Sequence, residues 1–246
     1  MRKILLIGET CEDVFIYGTC DRINPEAPTL IFKPTTYKVN PGMAANVKLN
    51  IESLGFECDF ITNDKLIKKT RYVDEKSNYI LLRTDENDEC DPLTTIHSLY
   101  PSEYDITIIS DYNKGFLTES LISHIAQQSR ITFIDTKKQL GGWVKNCDFI
   151  KINEKEYNEN KEFIDNNLYD KTIVTLGDEG CRFKGVNYPA FKIEVRDVVG
   201  AGDTFLAALA LKYGTTSDMN LAINFANKCS ASVVKKRGVS VPDIEF

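Results

Sequence analysis

Between Arg196 and Tyr213 the sequence reads RDVVGAGDTFLAALALKY, and four consecutive residues in it have types that could do chemistry. Gly200 and Gly202 let the backbone turn sharply, and with Ala201 between them they bring successive N–H groups round one point, just where an Ala/Leu-rich helix must start. Such a corner is a cradle for a phosphate anion. Asp203 stands at its rim, where a carboxylate either caps the helix or takes a proton from an attacking hydroxyl. Taken alone the motif fits a capped helix start equally well, because short glycine motifs arise often by chance.

Two familiar phosphate loops are excluded. The pattern GxxxxGK[ST] occurs nowhere, and a dinucleotide fingerprint would need a third glycine where the chain has Phe205. Further candidates lie at the ends of apolar runs. Asp111, Asp135 and Asn153 each follow such a run and should gather on one edge of a parallel sheet, the edge at which α/β proteins commonly meet ligands. Asn153 and Glu156 form Asn-x-x-Glu ahead of a helix, which on local grounds is a capping box and in a phosphate site would order a metal-water network. Asn46 falls one turn inside a helix, where its amide either reaches a ligand or stands in solvent.

The elements that must position these residues follow from periodicity. Lys3 to Gly8 is a compact apolar run suited to a parallel strand buried on both faces. Val14 to Gly18 and Thr29 to Val39 are β-rich and separated by DRINPEAP (21 to 28), whose two prolines and asparagine predict a turn. With Arg71 to Val73 and Asn78 to Arg83 they predict a small sheet apart from the main one. Met43 to Leu54 predicts a helix ended by Gly55, and Glu57 to Thr62 a second parallel strand. From Tyr104 onward strand and helix alternate: Ile106 to Ser110, Leu117 to Gln128, Ile131 to Asp135, Phe149 to Ile152, Lys171 to Leu176, then closing helices Leu206 to Tyr213 and Leu221 to Val234. That alternation predicts a parallel sheet with right-handed crossovers. The basic trio Lys235, Lys236 and Arg237 suits a helix C-terminus.

The 246 residues suffice for one large α/β unit, expected over 1–246, and 42% hydrophobic with 27% charged residues is ordinary for a globular protein. A net charge of -6 argues against general nucleic-acid binding. Seven scattered cysteines, never in CxxC and accompanied only by His97 and His124, favour reduced thiols over a zinc site or disulfides, and hence a cytoplasmic setting. Ile4 to Ile7 is too short for a signal peptide or a membrane span.

Placed in order, Gly8, Asp13, PGMAANV (41 to 47), SDYNKG (110 to 115), Asn153-x-x-Glu156 and DVVGAGDTF (197 to 205) resemble the ribokinase/PfkB family of sugar kinases over nearly the whole chain. Within it, DRINPEAP, PGMAANVKLNIESLG, SDYNKGFL and FANKCSASVV are most similar to the D-glycero-β-D-manno-heptose 7-phosphate kinases. The resemblance implies a ribokinase-like doubly wound, mostly parallel sheet with a small β lid (strands within about 14–40 and 70–84) and a homodimer formed through that lid. It implies MgATP-dependent transfer of the γ-phosphoryl group to a sugar hydroxyl, the 1-OH in the heptose branch, serving surface-polysaccharide precursors, and leaves dependence on K+ open.

Asp203 would then be the base, with Gly200, Ala201 and Gly202 forming the anion hole. Asp13, Gly42 and Asn46 would hold the sugar, Asn153 and Glu156 the metal and phosphates, and Gly177 and Asn227 the nucleotide. A phosphorylated sugar also needs a cation for its distal phosphate, for which Arg22, Lys69, Arg71, Arg83, Lys114 and Lys137 are candidates. The chain departs from the family in four places: Met43 for a second glycine, Glu9 for an aspartate, Val199 for a threonine, and a helix-bearing segment missing between Thr62 and Arg71. Those departures motivate the alternatives of another sugar or nucleoside, or a binding protein without turnover. The nucleotide-transferring domain fused to some relatives is not expected within these residues.

Overall fold

A computed structural model describes residues 2–94, 100–236 and 238–246; His97 and Arg237 lie outside them. Strand β1 (Ile4–Gly8) leads at once into a long ribbon, β2 (Thr10–Ile23) and β3 (Leu30–Met43), which runs without a loop into α1 (Ala44–Ser53). Then come β4 (Asp59–Ile61), β5 (Ile67–Asp74), β6 (Ile80–Glu86) and β7 (Ile106–Asp111). The second half alternates: α2 (Glu119–Gln128), β8 (Thr132–Thr136), β9 (Phe149–Asn153), α3 (Glu154–Glu159), α4 (Lys161–Asn167), β10 (Thr172–Thr175), β11 (Cys181–Phe183), β12 (Val186–Tyr188), α5 (Ala201–Thr216) and α6 (Met219–Val234).

The main sheet has the order β12-β11-β10-β9-β8-β7-β1-β4. All pairings from β10 to β4 are parallel, and β11 and β12 add antiparallel strands at one edge. Alternation along β1 divides the core in two. Ile4 and Leu6 pack with α1, α5 and α6 on one face, while Leu5 and Ile7 pack with α2 and α4 on the other. Every residue from Phe205 to Leu211 is buried, as expected of a helix that is apolar all round. This packing lays α5 along one face of the sheet, with its far end against Ile106 at the start of β7 and its N-terminus at the carboxyl ends of the strands.

The second sheet, β3-β2-β5-β6, is the lid. It is more extended than the sequence predicts. Strand β2 continues through Asp21 and Arg22 to Ile23 because Arg22 still pairs with Ile31 and Ile23 with Leu30, so the turn narrows to Asn24–Thr29, closed by Asn24 N–H donating to Thr29 O at 2.8 Å. Strand β3 likewise runs on through Pro41 and Gly42, and Met43 ends it rather than starting the helix. Helix α5 begins at Ala201, a turn and a half earlier than its leucines suggest, and α4 and β12 are elements that periodicity does not predict.

Candidate active site

Gly200 holds the left-handed conformation at φ +81° that starts α5, and a β-carbon there would meet the Asn46 amide at 2.7 Å. The Ala201 N–H turns back to Val198 O (3.2 Å), and the first helical bond is Thr204 N–H to Gly200 O (3.0 Å). Of the expected anion-hole trio, Ala201 is therefore engaged in the turn. The amides that precede the first helical bond at the mouth of α5 are those of Gly202 and Asp203.

Asp203, 8% exposed, sits in the first turn of α5. Its Oδ2 accepts from Asn46 Nδ2 at 2.8 Å and its Oδ1 from the Tyr112 hydroxyl at 2.7 Å. Burial pushes its pKa above the usual carboxylate range; the bonds from Asn46 and Tyr112 and the nearby Lys151 charge pull the other way, and Asp135 adds to the rise. A raised carboxyl pKa suits proton abstraction near neutrality. Asn46 is itself buried on α1, and one turn further Asn50 Oδ1 accepts from Thr204 Oγ1 at 2.7 Å, so paired side chains lock the starts of α1 and α5 together.

Asp203 opens onto a cavity of about 230 Å³. Asn46, Tyr112, Val199 and Gly200 border it on the side of the main sheet, and Cys11, Asp13, Lys69, Arg71 and Arg83 on the lid side. Gly42 and Met43 close its end, and a β-carbon on Gly42 would run into the Asp13 carboxylate. Burial pushes the Cys11 thiol up to about 12, which makes it a packing residue rather than a nucleophile. The carboxylate of Asp13 accepts from Arg71 Nη1 (2.5 Å), and that guanidinium lies 5.1 Å from the Phe15 ring centroid. Arg83 grips Asp85, two residues on along the same face of β6, at 2.7 and 2.8 Å, while Lys69 and Lys114 share Asp88.

Three of the predicted cations are not on the cavity border: Lys114, paired with Asp88, and two that lie elsewhere. Arg22 is exposed, and along β2 it stands nine residues beyond Asp13, about 30 Å at 3.3 Å per residue. Lys137 turns toward the main sheet, bridging Asp135 (3.2 Å) and Glu156 (2.6 Å). There Asn153 and Glu156 form a complete capping box, each accepting the other's backbone N–H at 2.9 Å. Asp135 also pairs with the buried Lys151 at 2.5 Å. Although burial alone would raise the Asp135 carboxyl, Lys151 and Lys137 hold it below its ordinary pKa.

Lys151 Nζ lies 3.0 Å from where a β-carbon on Gly202 would stand, so a line of charges runs from the capping box to the mouth of α5. Gly177, at φ +61°, faces open space after β10. Asn227 is buried with its amide donating to Tyr188 O (3.2 Å), so it braces the backbone after β12.

Sequence reasoning misses Tyr112, Lys151 and the pair Asn50 and Thr204. Tyr112 has a signal, lying inside SDYNKG directly after a strand end; Lys151 is a lone charge in an apolar strand. Glu9 is wholly buried and accepts the N–H groups of Tyr112 (2.8 Å) and Lys114 (3.0 Å), so this longer carboxylate shapes the turn after β7. Among the described residues no group of three or more His, Cys, Asp or Glu side chains is arranged to hold a metal, and no helix is long and apolar enough to cross a membrane.

The chain is 28% identical to the bifunctional protein HldE of a Nitratiruptor species, covering 99% of this chain and 63% of that protein. It is 29% identical to the bifunctional protein HldE of Helicobacter pylori, covering 100% of this chain and 65% of that protein. The chain thus spans a little under two thirds of the length of these relatives. Among solved structures it is similar to ribokinase from Thermotoga maritima, with a TM-score of 0.76 at 18% identity over 97% of this chain and 95% of that one. The pattern of the pfkB family of carbohydrate kinases matches residues 106–245, more than half of the chain. That stretch contains Tyr112, the Asn153 and Glu156 box and the Asp203 turn, and the chain belongs to the pfkB family of carbohydrate kinases, which use ATP as phosphoryl donor.

Proposed function

We propose that the chain phosphorylates the anomeric 1-OH of a sugar phosphate, D-glycero-D-manno-heptose 7-phosphate ahead of other sugars. The observation that carries this reading is the division of one cavity between a buried carboxyl with raised pKa and a cationic wall. A heptose 7-phosphate carries its reacting hydroxyl and its phosphate at opposite ends, which matches Asp203 at one side and Lys69 and Arg83 at the other. Arg83 is the better anchor than Arg71, because its Asp85 pair is solvent-exposed and weak, whereas Arg71 is held by Asp13 away from water. The likeness to HldE proteins supports the heptose.

In the reaction Asp203 takes the hydroxyl proton as the sugar oxygen attacks the γ-phosphorus and the bond to the β–γ bridging oxygen breaks, releasing ADP. Phosphoryl transfer rests mainly on positioning and on donors fixed where charge develops. The Gly202 and Asp203 amides supply such donors at the positive end of α5. The oxygen donors Asn153 and Glu156, with Lys137 and Lys151 already neutralising the local acids, fit a largely hydrated Mg2+ held through nucleotide phosphates rather than an all-protein cage. When bound, that ion neutralises phosphate charge. Gly177 offers open space for the nucleotide.

The lid is the proposed dimer interface. Glu12, Val14 and Ile16 alternate with the cavity-facing Cys11 and Asp13, so they line the opposite face, where they border a hollow of about 410 Å³ with the exposed Tyr37 and Val39. A cytoplasmic location accords with the need for ATP.

The test is ADP release against a panel of heptose 7-phosphate, fructose 1-phosphate, ribose and a nucleoside, with Mg2+ and with or without K+. Heptose 7-phosphate should lead, and Asp203→Asn should lower kcat by about a thousandfold, within the span of general-base effects, while ATP binding persists. Sugar binding without ADP release would establish the non-catalytic alternative, and full activity in Asp203→Asn would remove the base assignment.

A further inference from the structure

We propose that Tyr112 is a positioning residue of the transfer reaction: its phenol holds the Asp203 carboxylate in place until the sugar hydroxyl takes over the same oxygen. This rests on Asp203 acting as the base.

Tyr112 is the first residue after β7, in a turn tied down at several points. The buried Glu9 carboxylate accepts its N–H and that of Lys114, and Asp111 Oδ1 accepts the N–H of Asn113 (3.2 Å). Asn113 and Gly115 take positive φ of 56° and 103°. The ring therefore has little freedom to swing. Burial keeps the phenol protonated, so toward the carboxylate it acts as a donor. Both Asp203 oxygens are thus engaged, Oδ2 by Asn46 and Oδ1 by Tyr112.

The two engagements differ in what lies beside them. Asn46 also borders the cavity but is only 1% exposed, and its side-chain oxygen is held by Asn50, whereas Tyr112 is partly exposed. Tyr112 shares the cavity border with Asp203, so a sugar hydroxyl that approaches Oδ1 meets the phenol there. Hydrogen bonds to a carboxylate stabilise its charged form and weaken it as a base. With the ring fixed, the phenol releases Oδ1 by rotating its O–H about the C–O bond as the sugar hydroxyl comes in, and Oδ1 becomes free to take the proton. The hydroxyl proton passes to Oδ1, its oxygen bonds the γ-phosphorus, and ADP departs with the electrons of the broken bond.

Asp203 is faced by Lys151 from β9, Asp135 from β8, and Asp13, Lys69, Arg71 and Arg83 across the cavity from the lid. Tyr112→Phe alters none of these charges and keeps the ring. Removing the donor leaves burial less opposed, so the Asp203 pKa rises. In the full chain the acid limb of kcat/KM should move up by about one pH unit, the worth of one hydrogen bond to a charged group. At the plateau kcat should fall about tenfold, a loss of positioning, with sugar KM unchanged within about threefold. Incorporating 3-fluorotyrosine at position 112, which keeps the packing and strengthens the donor, should move the limb down.

A Tyr112→Phe limb that coincides with the parent's overturns the inference, as does a raised sugar KM with kcat intact, which would make Tyr112 a wall residue only. NMR titration of the Asp203 carboxyl reads the same shift without turnover. If no sugar in the panel releases ADP, the kinase reading fails by itself, while an unmoved carboxyl titration sinks the Tyr112 inference alone.

Discussion

Helices α1 and α5 begin side by side over the same cavity, and both follow a residue with positive φ. Gly200 takes +81° without cost. Met43 takes φ +58° with ψ -134°, a region close to one that side-chain-bearing residues occupy only at about 1–3 kcal/mol. At Gly200 the absent side chain leaves room for Asn46 to reach Asp203. At Met43, 4% exposed, the side chain fills the end of the cavity and packs into the core beside Cys11 and Ile67. A positive φ is thus met once by vacancy, in the left-handed helical region, and once by filling, in a more extended one, and the second choice exchanges cavity space for packing.

The contrast is lost most severely by a change at Gly200. An alanine there meets both the φ penalty and the Asn46 amide, so Gly200→Ala should lower stability by about 1–3 kcal/mol. Because the displaced amide orients Asp203, the proposed base, ADP release should fall about a hundredfold. Thermal melting and steady-state kinetics check the two halves separately.

Met43→Gly makes the two helix starts alike. Relief of about 1–3 kcal/mol in the backbone competes with about 2–5 kcal/mol for deleting a buried methionine, and the second wins. The melting temperature should drop by a few degrees, while the wider cavity lowers sugar KM. A rise in melting temperature would show that strain outweighs burial. The smallest effect is expected far out on the ribbon: Arg22→Ala should leave sugar KM within about twofold, since a solvated charge outside the cavity contributes little, whereas Arg83→Ala should raise it at least tenfold.

Much of this architecture can be read from residue order. Apolar runs ending in Asp111, Asp135 and Asn153 mark one sheet edge, and two glycines before Asp203 mark the turn above it. What escapes is set by side-chain contacts between distant segments. Lys151 is a single charge within FIKIN, and only the register that places it beside Asp135 shows it is neutralised and aimed at Gly202. Lys137 is equally basic in sequence wherever its side chain turns, and only the ion pair with Glu156 shows that it turns to the capping box. Arg22 misleads because DRINPEAP contains two prolines, yet pairing with Ile31 carries the strand past it. Asn46 resembles an exposed helical amide because α1 has a weakly defined apolar face, and only the packing of α5 against it buries that side chain.

The Glu9 carboxylate reaches two amides in the turn after β7 from the tip of the first strand. An aspartate, one methylene shorter, would leave at least one of them orphaned, and a turn of different shape would leave Glu9 without acceptable company in a dry interior. The two segments, a hundred residues apart in the chain, are therefore a matched lock and key. Chimeras with other members of the family must exchange them together, or inherit a misfit directly behind the reacting centre.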